Sequence, residues 1–97
     1  ADNIWIRASD GDLERVKHLV EVEGIAPDAG DSFGYTPVHA AASHGHPELL
    51  DYLLKKGANP NVPDNDGDRP LHYCETEEAA QMLIAAGADP TITNGDG

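Results

Sequence analysis

The chain has 97 residues, enough for one domain whose single continuous core buries roughly 60 to 65 % of the unfolded surface, and too few for a second. Its 18 acidic against 6 basic residues give a formal net charge of −12, which disfavours nucleic acid and anionic membranes and favours a basic partner. One Cys excludes an internal disulfide framework, no apolar run approaches the roughly 18 to 20 residues of a membrane span, and no basic, apolar leader opens the chain, so cytoplasm or nucleus is the expected setting.

Residues 1–30 read as a pair of helices. Asn3 is placed to cap a short helix holding Ile4, Trp5, Ile6 and Ala8, and Asp10-Gly11-Asp12 forms a loop. Asp12 then caps a second helix whose Leu13, Val16, Leu19 and Val20 make one apolar stripe. Glu14, Arg15 and Lys17 fall on the other faces, with Glu14 spaced to pair with Lys17 or His18.

Residues 31–63 carry the most complete set of signals. After the turn Asp31 to Gly34, the Thr36 hydroxyl can accept from the N–H of Val38 or His39, and Pro37 occupies the first helical position, where a missing N–H costs nothing. Val38, Ala41 and Ala42 give this helix a small apolar face that lets a neighbour approach closely. Gly45 breaks it, and Pro47 opens a second helix with Leu49, Leu50, Leu53 and Leu54 on one stripe and Asp51, Lys55 and Lys56 left for solvent. Gly57 supplies the left-handed stop, and Pro60 is expected to keep the following chain extended.

Residues 64–93 repeat the scheme in shortened form. Arg69 stands where Thr36 stood, and three residues are absent between the helices, so the first helix is predicted to be short, with Cys74 and Glu75 in place of the Ala-Ala pair. Thr76 caps the second helix, with Glu77 or Glu78 near its N–H groups and the positive end of its dipole. Ala79 and Ala80 replace larger apolar residues, so this helix should bury less. Residues 94–97 begin a fourth turn, and the absence of a polar closing unit after Ile92 raises the expectation that the chain continues or that a partner covers this end.

Two motifs recur in phase. GIAPD, GANPN and GADPT begin at Gly24, Gly57 and Gly87, 33 and 30 residues apart, and Asp/Asn-x-x-Gly turns begin at Asp31, Asp64 and Asn94 with the same two spacings. This periodicity predicts an all-α solenoid forming one domain over 1–97. GYTPVHAAASHGHPELLDYLLKKGANPN resembles the ankyrin repeat, with its Gly-x-Thr-Pro-Leu-His, Ala-Ala, Gly-His and Leu-Leu-x-x-Gly-Ala signatures. The resemblance implies about three helix-loop-helix repeats with β-turn fingers, and binding across the finger tips and the concave first-helix face. It also marks departures. The turn before the first helix pair is missing, Arg7 replaces a small Ala and is expected to lay its stem across the stack, and an extra residue near Glu23 should make the second helix run long or end irregularly.

Candidate chemistry is outweighed by structural roles. His39, His44, His46, His72 and Cys74 offer zinc donors without a spacing motif. The resemblance gives His39 and His72 to hydrogen bonds between turns and His46 to the loop, leaving only His44 unassigned. Asp64, Asp66 and Asp68 with Glu75 suggest a calcium loop, but Arg69 and Pro70 stand where its sharp turn needs Gly. Cys74 and His72 lack an orienting third group, and the thiol fits a small core position. No catalytic residue, cofactor or resident metal is expected.

The resemblance places Ser32, Phe33 and Tyr35 on one finger, Asn65, Asp66 and Asp68 on the next, and Ser43 and His44 on the concave side; packing between fingers is the alternative for Tyr35, and Tyr73 is expected to face the concave groove. Phe33 is either an exposed anchor or folded against the adjacent finger, and Trp5 is core or a cover for the first unit. Asp31, Asp64, Asp66 and Asp68 would form a negative ridge. The expected function is a monomeric, non-catalytic protein-binding module for a basic segment, in concrete form a chaperone or escort of a basic protein. A metal-dependent domain and a passive spacer in a longer chain are the alternatives.

Overall fold

The computed structural model describes residues 3–91, which form α1 (Ile4–Ser9), α2 (Leu13–Glu21), α3 (Pro37–Ser43), α4 (Pro47–Lys55), α5 (Pro70–Tyr73) and α6 (Glu77–Ala85), with no strand among them. The turn at residues 94–97 lies outside the described residues. Four helices begin where a side chain accepts from their first N–H groups. Asn3 accepts from Trp5 at 2.9 Å, Asp12 from Arg15 at 3.2 Å, Thr36 from His39 at 3.2 Å and Thr76 from Ala79 at 3.1 Å. The Arg69 side chain, a donor only, accepts nothing, and α5 starts through Pro70 and the His72 Nδ1 that accepts the Arg69 N–H at 2.8 Å.

The helices stand in two layers. α3 packs between α1 and α5, and its Val38, Ala40, Ala41 and Ala42 are fully buried because methyl-sized side chains let the inner helices close on one another. The outer layer supplies bulk through Val16 and Leu19 of α2, Leu49, Leu50 and Leu53 of α4, and Leu83 of α6. Each fully buried leucine contributes about 1.5–3 kcal/mol relative to an exposed one. α6 buries only Ala79 and Leu83, the weaker burial expected from its alanines. Polar ties between repeats complete the stack: the Asn59 N–H donates to Asp28 at 2.9 Å, and the Asp89 N–H to the Asn61 side chain at 2.9 Å.

Several local expectations are corrected. α5 has four residues, and Cys74 is its C-cap with ψ of 124°, so neither Cys74 nor Glu75 takes a helical Ala position. With three residues missing, the chain leaves the helix a turn early to reach Thr76. Cys74 is half-buried, its Sγ 3.6 Å from the Pro70 carbonyl. Pro60 lies in a turn closed by the Val62 N–H on the Asn59 carbonyl, because its fixed φ also suits the second position of a β-turn. α2 has nine residues, as do α4 and α6, and its end is irregular rather than long. The N–H groups of Val22 and Glu23 both donate to the His18 carbonyl, which widens the exit by the extra residue. His18 pairs with Glu23 at 3.3 Å rather than with Glu14. Arg7 reaches Asp10 at 3.4 Å while its Nε is buried without an acceptor among the described residues.

Candidate functional site

The two fingers are built by aspartates that organise their own turns. Asp31 Oδ1 accepts from the N–H groups of Phe33 at 2.8 Å and Tyr35 at 3.0 Å, while the Asp31 N–H donates to the Tyr35 carbonyl at 2.9 Å. Asp64 repeats this with Asp66 and Asp68, each at 2.9 Å. The first carboxylate of each finger therefore holds the turn. The fingers then join, because Asn65 donates its backbone N–H to the Phe33 carbonyl at 2.9 Å and its side-chain amide to the Ser32 carbonyl at 3.0 Å. Gly34, at φ +77°, makes room for this contact. A Cβ there would lie 2.8 Å from Asn65 Oδ1 and 2.9 Å from its backbone nitrogen.

Beneath the fingers lies a buried imidazole. His39 Nδ1 accepts from the Thr36 N–H at 3.1 Å, which leaves the ring proton on Nε2 to donate to the Asp68 carbonyl at 2.9 Å. The end of α3 is thereby tied to the base of the second finger. Tyr35 stacks on this ring at 5.5 Å, and Tyr73 meets it edge-on at 5.4 Å. Burial lowers the His39 pKa, outweighing the Asp68 carbonyl and the carboxylates of Asp64, Asp68 and Asp31, which favour the cation. The Tyr73 hydroxyl donates to Asp64 Oδ2 at 2.6 Å, and this bond, with burial, raises the phenol pKa. Burial pushes the Asp64 carboxyl up, but the Tyr73 hydroxyl and the N–H groups of Asp68 and Asp66 outweigh it and hold the pKa down.

The nine residues singled out in the sequence divide by role. Ser32, Phe33, Asn65 and Asp66 are exposed on the fingers, with Phe33 74 % exposed. Phe33 projects outward rather than folding onto its neighbour. Tyr35 and Tyr73 are half-buried in the aromatic cluster around His39, 5.8 Å apart and edge-on, so Tyr73 supports the second finger. Asp68 is half-buried beside them, and Ser43 at the end of α3 is half-buried near the Tyr35 hydroxyl. His44 is exposed and stacks on His46, whose Nε2 is 2.7 Å from the Ser9 carbonyl.

These commitments bear on metal binding. Both ring nitrogens of His39 and one of His46 face backbone groups they already bond. Asp64, Asp66 and Asp68 bring carboxylate oxygens within 4.8 Å of one another, but both Asp64 oxygens serve the turn and Tyr73. The donor set is that of a braced finger, and it does not fit a calcium loop.

The sequence reading missed the wall opposite the first finger. Ile6, in a helix of six residues, is 52 % exposed and forms a cleft with Trp5 and Tyr35. Ile4, Trp5 and Ile6 are consecutive, so a helix packed on one side cannot bury all three, and that was the available signal. On the back of the molecule lie four of the chain's six cations: Arg15 and Lys17 in α2, with Lys55 and Lys56 at the end of α4. Lys17 and Lys56 lie 5.5 and 5.7 Å from the ring centre of Tyr52, which donates to Glu21.

Comparison with known proteins places this geometry. Residues 4–94 match a family model described as ankyrin repeats in three copies. The chain is 50 % identical over 97 residues to an ankyrin repeat-containing protein of Schizosaccharomyces pombe, covering 98 % of this chain and 46 % of that protein. It is 40 % identical over 70 residues to human BCL-6 corepressor-like protein 1, covering 69 % of this chain and 4 % of that one, and 46 % identical over 55 residues to human ankyrin repeat domain-containing protein 39, covering 57 % and 30 %. The chain thus spans less than half the length of these relatives.

Proposed function

The chain belongs to the ankyrin-repeat family, whose members generally mediate protein–protein interaction, and from that premise we propose that it is a non-catalytic module that grips a basic segment of a partner protein through its fingers and concave face. One observation carries this reading: the two fingers hold Asp31, Asp64, Asp66 and Asp68 with Arg69 as the cation beside them, while Arg15, Lys17, Lys55 and Lys56 lie in or at the end of the outer helices and Arg7 of α1 pairs with Asp10. Because the exposed Phe33 ring stands in that acidic field, it can add an apolar anchor to electrostatic attraction. Escort of a highly basic protein in the cytoplasm or nucleus is the concrete form proposed, with the module acting as a monomer.

Ionic strength tests it. Affinity for an arginine- and lysine-rich peptide should fall at least about tenfold between roughly 50 and 500 mM salt, since exposed charges are screened beyond a Debye length. Phe33→Ala should weaken binding further at either salt concentration. Affinity indifferent to both changes would leave the fingers as passive spacers.

A further inference from the structure

Among the described residues, a neighbouring finger bonds the first finger on one side. Asn65 of the second finger bonds its downstream edge, whereas its upstream edge opens onto a cleft of about 560 Å³, within the range of small-ligand sites. Trp5 and Ile6 of α1 and Tyr35 of the finger form its apolar walls, with Ser9, Ser32 and Asp31 at the rim. Its walls are fixed before anything binds. The Trp5 indole N–H donates to the Ala29 carbonyl at 2.7 Å, and the Tyr35 ring stacks on the buried His39 at 5.5 Å. Asp31 is the only charged group in the lining; its Oδ1 is engaged by Phe33 and Tyr35, while its Oδ2 takes no hydrogen bond among the described residues.

We propose that this cleft is a subsite for one large aliphatic side chain of a basic partner segment, whose neighbouring arginine or lysine meets the outer oxygen of Asp31. The assignment rests on the partner class proposed above and narrows it: the segment carries an apolar anchor beside its positive charge. Two features select this occupant. Trp5, Ile6 and Tyr35 gain by shedding water against an apolar group, and a lining whose one charge is negative disfavours an acidic neighbour. Preformed walls spare the ordering cost of a mobile groove.

Trp5 is the chain's only tryptophan, so its emission reports the cleft directly. The 97-residue chain is titrated with the synthetic peptide acetyl-Arg-Leu-Arg-Arg-amide, with its Leu-to-Ala form and with its Arg-to-Glu form, while calorimetry records binding independently. The leucine peptide should shift the emission saturably, the alanine form should bind about tenfold or more weakly, and the glutamate form should give no response. Ile6→Asp, at an exposed position, should remove the response while circular dichroism stays unchanged. Asp31→Asn keeps the oxygen that closes the turn and should weaken the leucine peptide at low salt. Calorimetric binding with no Trp5 response, or equal affinity for the leucine and alanine forms, overturns the subsite and leaves the broader reading intact. Absence of binding by every short peptide also overturns it, and the long basic peptide then decides the broader reading separately.

Discussion

Replacing His39 by Ala separates a buried brace from its exposed counterpart at the same repeat position, His72. His39 is fully buried, and its loss leaves the Thr36 N–H unpaired and takes from the Asp68 carbonyl one of its two donors, the Asp64 N–H at 2.8 Å remaining. At about 1–3 kcal/mol for the abandoned N–H, about 1 kcal/mol for the lost bond to Asp68 and about 1 kcal/mol more for the lost ring contacts to Tyr35 and Tyr73, the cost is about 3 kcal/mol or more. Domains of this size hold about 5–15 kcal/mol in all, and each kcal/mol moves Tm by about 4–8 °C, so a fall on the order of 12–24 °C follows. His72→Ala should cost about 1 kcal/mol or less, because the ring is exposed and water can replace its bond to the Arg69 N–H. Urea titrations of the two variants, followed by circular dichroism and Trp5 emission, measure the difference. A gap under about 1 kcal/mol would refute the bracing role assigned to His39.

The same imidazole sets a pH dependence. Burial holds its native pKa below the ordinary 6.5, so the unfolded chain takes up the proton first; stability is full above that value and declines as pH falls through it, until the native ring also protonates. His39→Gln should flatten the slope of the urea midpoint below about pH 6.5. Leu53→Ala, in the fully buried stripe of α4, should cost about 2–5 kcal/mol, and Leu54→Ala, half-buried at the edge, clearly less in the same titration. Gly34→Ala should cost about 1–3 kcal/mol, since it places a Cβ at positive φ against Asn65, and faster exchange of the Asn65 amide with solvent deuterium should report the loosened fingers.

The two-layer stack was legible because its signals are local and repeated. A hydroxyl, carboxamide or carboxylate fixes where four of the helices begin and a proline at the first helical position where α4 and α5 do, and alanines set against leucines tell the inner layer from the outer. Cys74 was misplaced for a physical reason: alignment to a helical Ala pair ignores the distance the chain must cover once three residues are gone, and that distance ends α5 at Tyr73. Pro60 was misread because a fixed φ serves an extended strand and the corner of a turn alike. In the candidate site, the exposure of Phe33 was one of two alternatives that local sequence left open. The Asn65 bonds to Ser32 and Phe33, and the cleft beside Trp5, depend on how separate repeats face one another, which no single repeat encodes.

The partition of alanine and leucine also shapes the molecule on a larger scale. Inner helices meet along their lengths, whereas the leucine-bearing outer ones touch far less. Each unit is therefore a wedge, narrow at the methyl-lined side and wide at the isobutyl-lined side, and wedges laid in register trace an arc. Enlarging one alanine of α3 would open that arc at a single joint, so curvature here is set by a few cubic ångströms at the hub of the row.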